Sequence, residues 1–139
     1  MEKITVRDVE RPEFKKPEDI IKWFCAAFGL VANPGENGVE EQILQTFVMA
    51  AQEDKGLSSS EIELDPPMAR STVIYHLNRF MDSGLIVKRG RLYFLRAPDM
   101  ARAIEEIEYD MEREFQRLID AAKEFQRLME ELQKQNRER

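Results

Sequence analysis

The sequence predicts a mainly α-helical chain with one small β-hairpin and a long C-terminal helix. Apolar residues recur at helical spacing in three segments that end before residue 84, whereas the runs LIVK and LYFL have the short, β-branched and aromatic character of strands. After Pro98 the chain contains no further proline or glycine, which favours one uninterrupted helix. We therefore expect an N-terminal arm or strand at 1–16, a folded domain at 17–97 and a long helix at 98–139.

The first two helices are predicted from their start signals and apolar faces. Pro17, followed by two acids, suits the first turn of a helix, which should end at Gly29 or in the loop ANPGENG. Asn37 with Glu40 has the spacing of a reciprocal cap, so a second helix should run from about 37 to 54. Ahead of both, Ile4 and Val6 alternate with polar residues, which fits either a short strand or an extended arm.

A short helix and a longer helix are predicted around a proline turn. Ser58 and Glu61 have the S-x-x-E spacing of a capping box, and the helix they start must end by Leu64, because Asp65 precedes Pro66-Pro67. The longer helix should run from about Arg70 to Ser83 and stop at Gly84, a residue suited to a left-handed C-cap.

The longer helix has two distinct faces at 100° per residue. Its apolar side is predicted to be core and comprises Val73, Ile74, Leu77, Phe80 and Met81. Its outward side is polar and almost free of acids, with His76 on the flank, and comprises Ser71, Thr72, Tyr75, Asn78 and Arg79. Hydroxyls, amides and guanidinium groups match base edges and phosphates, so this side has the chemistry of a surface that enters a major groove. The following hairpin gathers Lys88, Arg89 and Arg91 at its tip, which suits phosphate contact.

These elements carry a resemblance to a known family. Residues 69–86, ARSTVIYHLNRFMDSGLI, resemble the recognition helix of ArsR- and MarR-type winged helix-turn-helix transcriptional regulators of prokaryotic and archaeal type. The family pattern is roughly S-x-S-T-V-x-x-H-L-x-x-L-x-x-x-G-L-I/V followed by a basic wing. This chain departs from it with Ala69 where Ser is usual and with Pro66-Pro67 in the turn.

The resemblance implies a winged helix-turn-helix domain and a set of DNA-binding residues. By position in the motif, residues near bases would be Arg70, Ser71, Thr72 and Tyr75. Residues near phosphate would be His76, Arg79, Lys88, Arg89 and Arg91. The implied partner is double-stranded DNA, and the implied activity is transcription regulation.

The C-terminal segment predicts a partner helix. Apolar residues spaced by seven form a seam too long for a lone helix to bury, which indicates coiled-coil pairing in a homodimer. The residues assigned to dimerisation are Ile104, Ile107, Met111, Leu118, Phe125 and Leu132.

Charge is distributed unevenly along the chain. The net charge is −6, yet residues 65–96 hold six Lys and Arg against two Asp, a net of +4, so positive charge coincides with the motif. The acidic flanks would repel DNA from other surfaces.

Several classes of function are disfavoured by composition. A single cysteine, Cys25, excludes an internal disulfide and a cysteine-based metal site, and no nucleophile, phosphate-loop or metal-ligand motif appears, so we expect neither an enzyme nor a cofactor. The charged N-terminus resembles no signal peptide and no apolar run approaches a membrane span, so a cytoplasmic protein is expected. The residues do not indicate a small-molecule effector and do not exclude one.

Two functions from different classes fit the sequence. The first is a homodimeric, sequence-specific DNA-binding regulator, with helix 70–83 in the major groove and residues 85–96 on the phosphate backbone. The alternative is a winged-helix protein-interaction module whose terminal helix binds another protein. The basic hairpin favours the first, because an adaptor does not need it.

Overall fold

The protein, a computed structural model that describes residues 4–31 and 38–138, is mainly α-helical with one antiparallel hairpin. In chain order its elements are α1 (Pro17–Ala27), α2 (Val39–Gln52), a 3₁₀ turn (Ser59–Glu61), α3 (Arg70–Ser83), β1 (Ile86–Arg89), β2 (Leu92–Leu95) and α4 (Met100–Arg137). This confirms the predicted helical class, the hairpin and the long C-terminal helix.

The N-terminal segment is an arm that lies against α1. Residues 4–15 form neither helix nor strand, so the strand alternative is wrong for this stretch. The Arg7 amide donates to the Ala27 carbonyl at 2.7 Å, and Trp23 Nε1 donates to the Val9 carbonyl at 3.2 Å. These bonds hold an extended chain with no regular ladder.

Helix α2 supplies much of the core. Ile43, Leu44 and Phe47 are fully buried, as their helical spacing predicts. The helix begins at Val39, and Gly38 takes a left-handed conformation with φ of 57° at its N-cap. The predicted cap at Asn37 lies outside the described residues.

The short helix predicted after Ser58 is wrong in its extent. Only one 3₁₀ turn forms, at Ser59–Glu61, where the Ser58 amide donates to Glu61 Oε1 at 3.0 Å. The chain is extended at Ile62, and both Ile62 and Leu64 are buried while Glu63 is exposed. Residues two positions apart, such as Ile62 and Leu64, lie on the same side of the chain only when it is extended. Burial of both residues therefore overrides the capping signal that predicted a longer helix.

Helix α3 and the hairpin follow the predicted order. α3 spans Arg70–Ser83 as predicted, and Gly84 ends it with φ of 87°, the left-handed C-cap expected of glycine. The strands pair antiparallel from Ile86 with Leu95 to Arg89 with Leu92. The hairpin therefore turns at Gly90 and Arg91.

The chain divides into two compact units, residues 1–104 and 105–139. The first contains α1 to α3, the hairpin and the first turn of α4, where Ala103 is fully buried. The second is the remainder of α4, a single helix.

Candidate nucleic-acid interface

The outer face of α3 presents polar side chains to solvent. Ser71 and Asn78 are exposed, and the Tyr75 side chain is 58% exposed. The opposite face is closed, because Leu77 and Phe80 are buried in the core. Burial of one face fixes the direction of the other, so the polar residues point away from the folded body.

The first turn of α3 carries the remaining residues predicted near bases. Arg70 is exposed and its Nη2 lies 3.4 Å from Ser59 Oγ on the 3₁₀ turn. Ser71 is exposed beside it, whereas Thr72 is half-buried. No acid occurs between Arg70 and Met81, so this part of the face has no carboxylate to repel an anion.

Arg79 does not lie on the outer face as predicted. Its Nη2 donates to the Gly29 carbonyl at 2.9 Å, and its Nη1 lies 4.0 Å from Glu40 Oε1. The guanidinium carbon is also 5.9 Å from the centre of the Tyr75 ring. Arg79 therefore links α3 to the end of α1 and to α2, and it supports the Tyr75 ring from the protein side.

His76 also faces the folded body. Its side chain is only 13% exposed, and Nδ1 lies 3.8 Å from Glu40 Oε1. Burial lowers the pKa of His76 below its usual value, the Glu40 carboxylate opposes that shift, and Arg79 adds to it. A neutral, half-buried imidazole is poorly suited to hold a phosphate, so the structure favours a structural role here.

Asn78 is a residue that the predicted site set omitted. It lies next to Ser71 on the helical wheel and is exposed, whereas Arg79, the following residue, turns inward. An asparagine amide can donate to and accept from the edge of adenine together. The helical wheel places Asn78 on the outward face. That position was sufficient reason to include Asn78 among the predicted DNA-binding residues.

The hairpin tip presents three cations. Lys88, Arg89 and Arg91 are all exposed, and Gly90 between them has φ of 63°. The Lys88 ammonium lies 5.3 Å from the Tyr93 ring centre, and the Arg89 guanidinium carbon lies 5.6 Å from that of Phe94. Such contacts orient the two stems without neutralising their charge.

The base of the hairpin is fixed to the core. Leu57 and Tyr93 form a pair of backbone bonds, each 2.8 Å long, that add one residue of a third strand. Gly56 lies so close to the Phe94 ring that a Cβ there would stand 2.4 Å from Cζ. β1 also contacts α3, so the basic tip extends from a rigid base beside that helix.

Exposure reduces the number of cations that a ligand can reach. Of the six Lys and Arg in 65–96, four are exposed, and they are Arg70, Lys88, Arg89 and Arg91. Arg79 and Arg96 are half-buried. The candidate interface thus has four accessible positive charges per chain.

Helix α4 carries the predicted dimerisation residues in three different environments. Leu118, Phe125 and Leu132 are exposed by 64%, 64% and 53%. Ile104 and Met111 are half-buried, whereas Ile107 is 2% exposed in the single chain. Ile107 therefore belongs to no open face, and its assignment to a dimer seam is wrong. The open seam starts C-terminal to Met111.

Cys25 is an inert position in this structure. Its side chain is fully buried in α1, and burial, with smaller effects of Glu41 and Glu40, raises the pKa of the thiol to about 12. A thiol of that pKa carries almost no thiolate at neutral pH, so it is a poor nucleophile.

Comparisons with protein families, with characterised proteins and with solved structures find no match to this chain. Among residues 4–31 and 38–138 no group of three or more His, Cys, Asp or Glu side chains is placed to hold a metal ion. No helix in that same part of the chain has the length and apolarity needed to span a membrane.

Proposed function

We propose that this chain is a winged helix-turn-helix transcriptional regulator, similar to ArsR- and MarR-type proteins, that binds double-stranded DNA as a homodimer. The observation that carries the proposal is the exposed outer face of α3, which has no acid between Arg70 and Met81, beside a hairpin with a basic tip. A helix of this kind fits a major groove, and a basic hairpin fits the adjoining phosphates.

The proposed role of each residue follows from whether its side chain is exposed. Ser71 and Tyr75, together with Asn78, would read base edges, with Arg70 and Thr72 at the start of the helix. Hydroxyl and amide groups discriminate bases because they donate or accept hydrogen bonds at fixed points of the groove.

Phosphate binding would come from the exposed cations of the hairpin tip, Lys88, Arg89 and Arg91. Arg79 acts as a positioning residue in this proposal, since it is bonded to Gly29 and lies beneath Tyr75. Two α3 helices of a symmetric pair would read half-sites of a pseudo-palindrome, for which spacing by one helical turn, about 34 Å, or by a multiple of it is expected.

The test compares binding of random and selected duplex DNA by fluorescence anisotropy at two salt concentrations. Tyr75→Ala or Ser71→Ala should narrow the affinity gap between specific and random DNA, whereas Arg89→Ala should weaken both about equally. Arg117→Ala, which removes the same charge from an exposed position on α4, is the matched control. Failure of the natural chain to bind any duplex at low salt would refute the proposal.

One observation favours a second function. The exposed apolar face of α4 could bind a different protein, in which case the domain would serve as an interaction module. That module would bind random DNA weakly and without dependence on Arg89. The same anisotropy measurement therefore separates the two functions.

A further inference from the structure

The C-terminal part of α4 is an unpartnered amphipathic helix. Every residue from Glu112 to Glu138 is exposed, including seven large apolar side chains. These are Phe115, Leu118, Ile119, Phe125, Leu128, Met129 and Leu132. The opposite side carries ion pairs within the helix, such as Arg127 with Glu131 at 2.7 Å. One side of the helix is thus charged and suited to solvent, whereas the other side is apolar.

A second copy of the same helix fits this face. Phe115, Ala122 and Met129 alternate with Leu118, Phe125 and Leu132 at spacings of three and four, the pattern of a two-helix seam. Seven side chains that each expose on the order of 100 Å² would bury about 1,400 Å² in a pair, within the range of stable interfaces. The area and the heptad spacing therefore match an identical helix.

The charge of α4 is divided along its length. Residues 105–114 hold six carboxylates and one arginine, a net of −5, whereas residues 115–138 hold five charges of each sign. A parallel pair would set the −5 segment beside its own copy. An antiparallel pair would set it beside the other end of the partner helix, which carries Lys134 and Arg137, and so would remove this repulsion.

The sizes of the seam side chains also favour the antiparallel orientation. In a parallel, in-register pair Ala122 would face Ala122 and leave a gap, while Phe125 would face Phe125. In an antiparallel pair centred between residues 123 and 124, Ala122 faces Phe125, Leu118 faces Met129 and Phe115 faces Leu132. Small and large residues are then matched, and every seam residue from Phe115 to Leu132 has an apolar partner.

We infer that α4 pairs with α4 of a second copy in antiparallel orientation, with Ala122 of each helix against Phe125 of the other. The inference rests on the homodimer of the proposed function and specifies its geometry. Helix rise then places the two Glu105 residues about 55 Å apart along the axis, whereas the two Lys123 residues lie side by side. In a parallel pair both distances would be short and similar.

Distances between nitroxide labels in the full chain test this geometry. Glu105→Cys and Lys123→Cys each add one exposed thiol, and pulsed electron spin resonance then measures the distance between the two copies. The expected result is a distance about 30 Å or more longer for position 105 than for position 123. The natural chain is the labelling control, because its buried Cys25 should take up no nitroxide.

Equal distances at the two positions would overturn the antiparallel pairing, and so would a particle mass of one or of four chains. DNA affinity of the natural chain is measured separately by anisotropy. A monomer that binds DNA would overturn this inference and leave DNA binding standing. An antiparallel dimer without affinity for duplex DNA would support this inference and refute the proposed DNA binding.

Discussion

Removal of one cation from the hairpin tip gives a quantitative test of the proposed DNA interface. Arg91 is exposed next to Gly90 and has no hydrogen bond or ion pair within the described residues, so Arg91→Ala removes charge with little effect on the fold. Each phosphate contact contributes about 0.9 to the slope of log affinity against log salt. Three phosphate-binding cations per chain, Lys88, Arg89 and Arg91, predict a slope of about −5 for a pair of chains.

The substitution should change that slope by a defined amount. Loss of one contact per chain reduces it by about 1.8, which at 0.1 M salt corresponds to an affinity loss of about 60-fold for the pair. The loss should be the same for specific and random DNA, because phosphate contacts carry no sequence information.

The assay is anisotropy of a labelled duplex between 50 and 200 mM salt, because affinity falls steeply over this range for about six phosphate contacts. Arg117→Ala makes the same charge change on α4 and should leave the slope unaltered. An unchanged slope for Arg91→Ala, or a loss confined to one DNA sequence, would refute the assignment of the hairpin to phosphate binding.

Three further predictions concern stability and reactivity. Leu77→Ala, at a fully buried position of α3, should reduce the free energy of unfolding by about 2 to 5 kcal/mol in urea titrations; a loss below about 1 kcal/mol would contradict the core assignment. Because burial lowers the pKa of His76, its contribution to stability should be present above the unfolded pKa and decline as pH falls through the folded pKa. His76→Gln should flatten that decline in urea midpoints measured from pH 7.5 down to 5, and identical profiles would contradict it. Cys25 should react with iodoacetamide only on unfolding, so rapid alkylation of the folded chain, followed by mass spectrometry, would disprove its burial.

Local sequence determined the elements with strong periodic patterns. The bounds of α3, its buried residues Leu77 and Phe80 and the left-handed cap at Gly84 follow from the wheel and from the conformational freedom of glycine. The length of α4 likewise follows from the absence of proline and glycine after residue 98. These features depend on neighbours within one or two turns, and this is why a single sequence reveals them.

Contacts between distant segments decided which polar side chains of α3 remain accessible. Arg79 is bonded to the carbonyl of Gly29, fifty positions away, and His76 lies beside Glu40 of α2, so neither is presented to phosphate as the resemblance implied. A long side chain at the edge of a helix can turn to either side, and only the carbonyl and carboxylate of other segments fix its direction.

Tertiary packing also set the limits of the regular elements. The capping signal at Ser58 yields a single 3₁₀ turn because Ile62 and Leu64 are both buried by an extended chain. Ile107 belongs to the same predicted seam as Leu118 but is buried within the single chain. The sequence by itself determined where apolar faces occur. The tertiary structure decided which of them are covered, because burial depends on segments that periodicity does not connect.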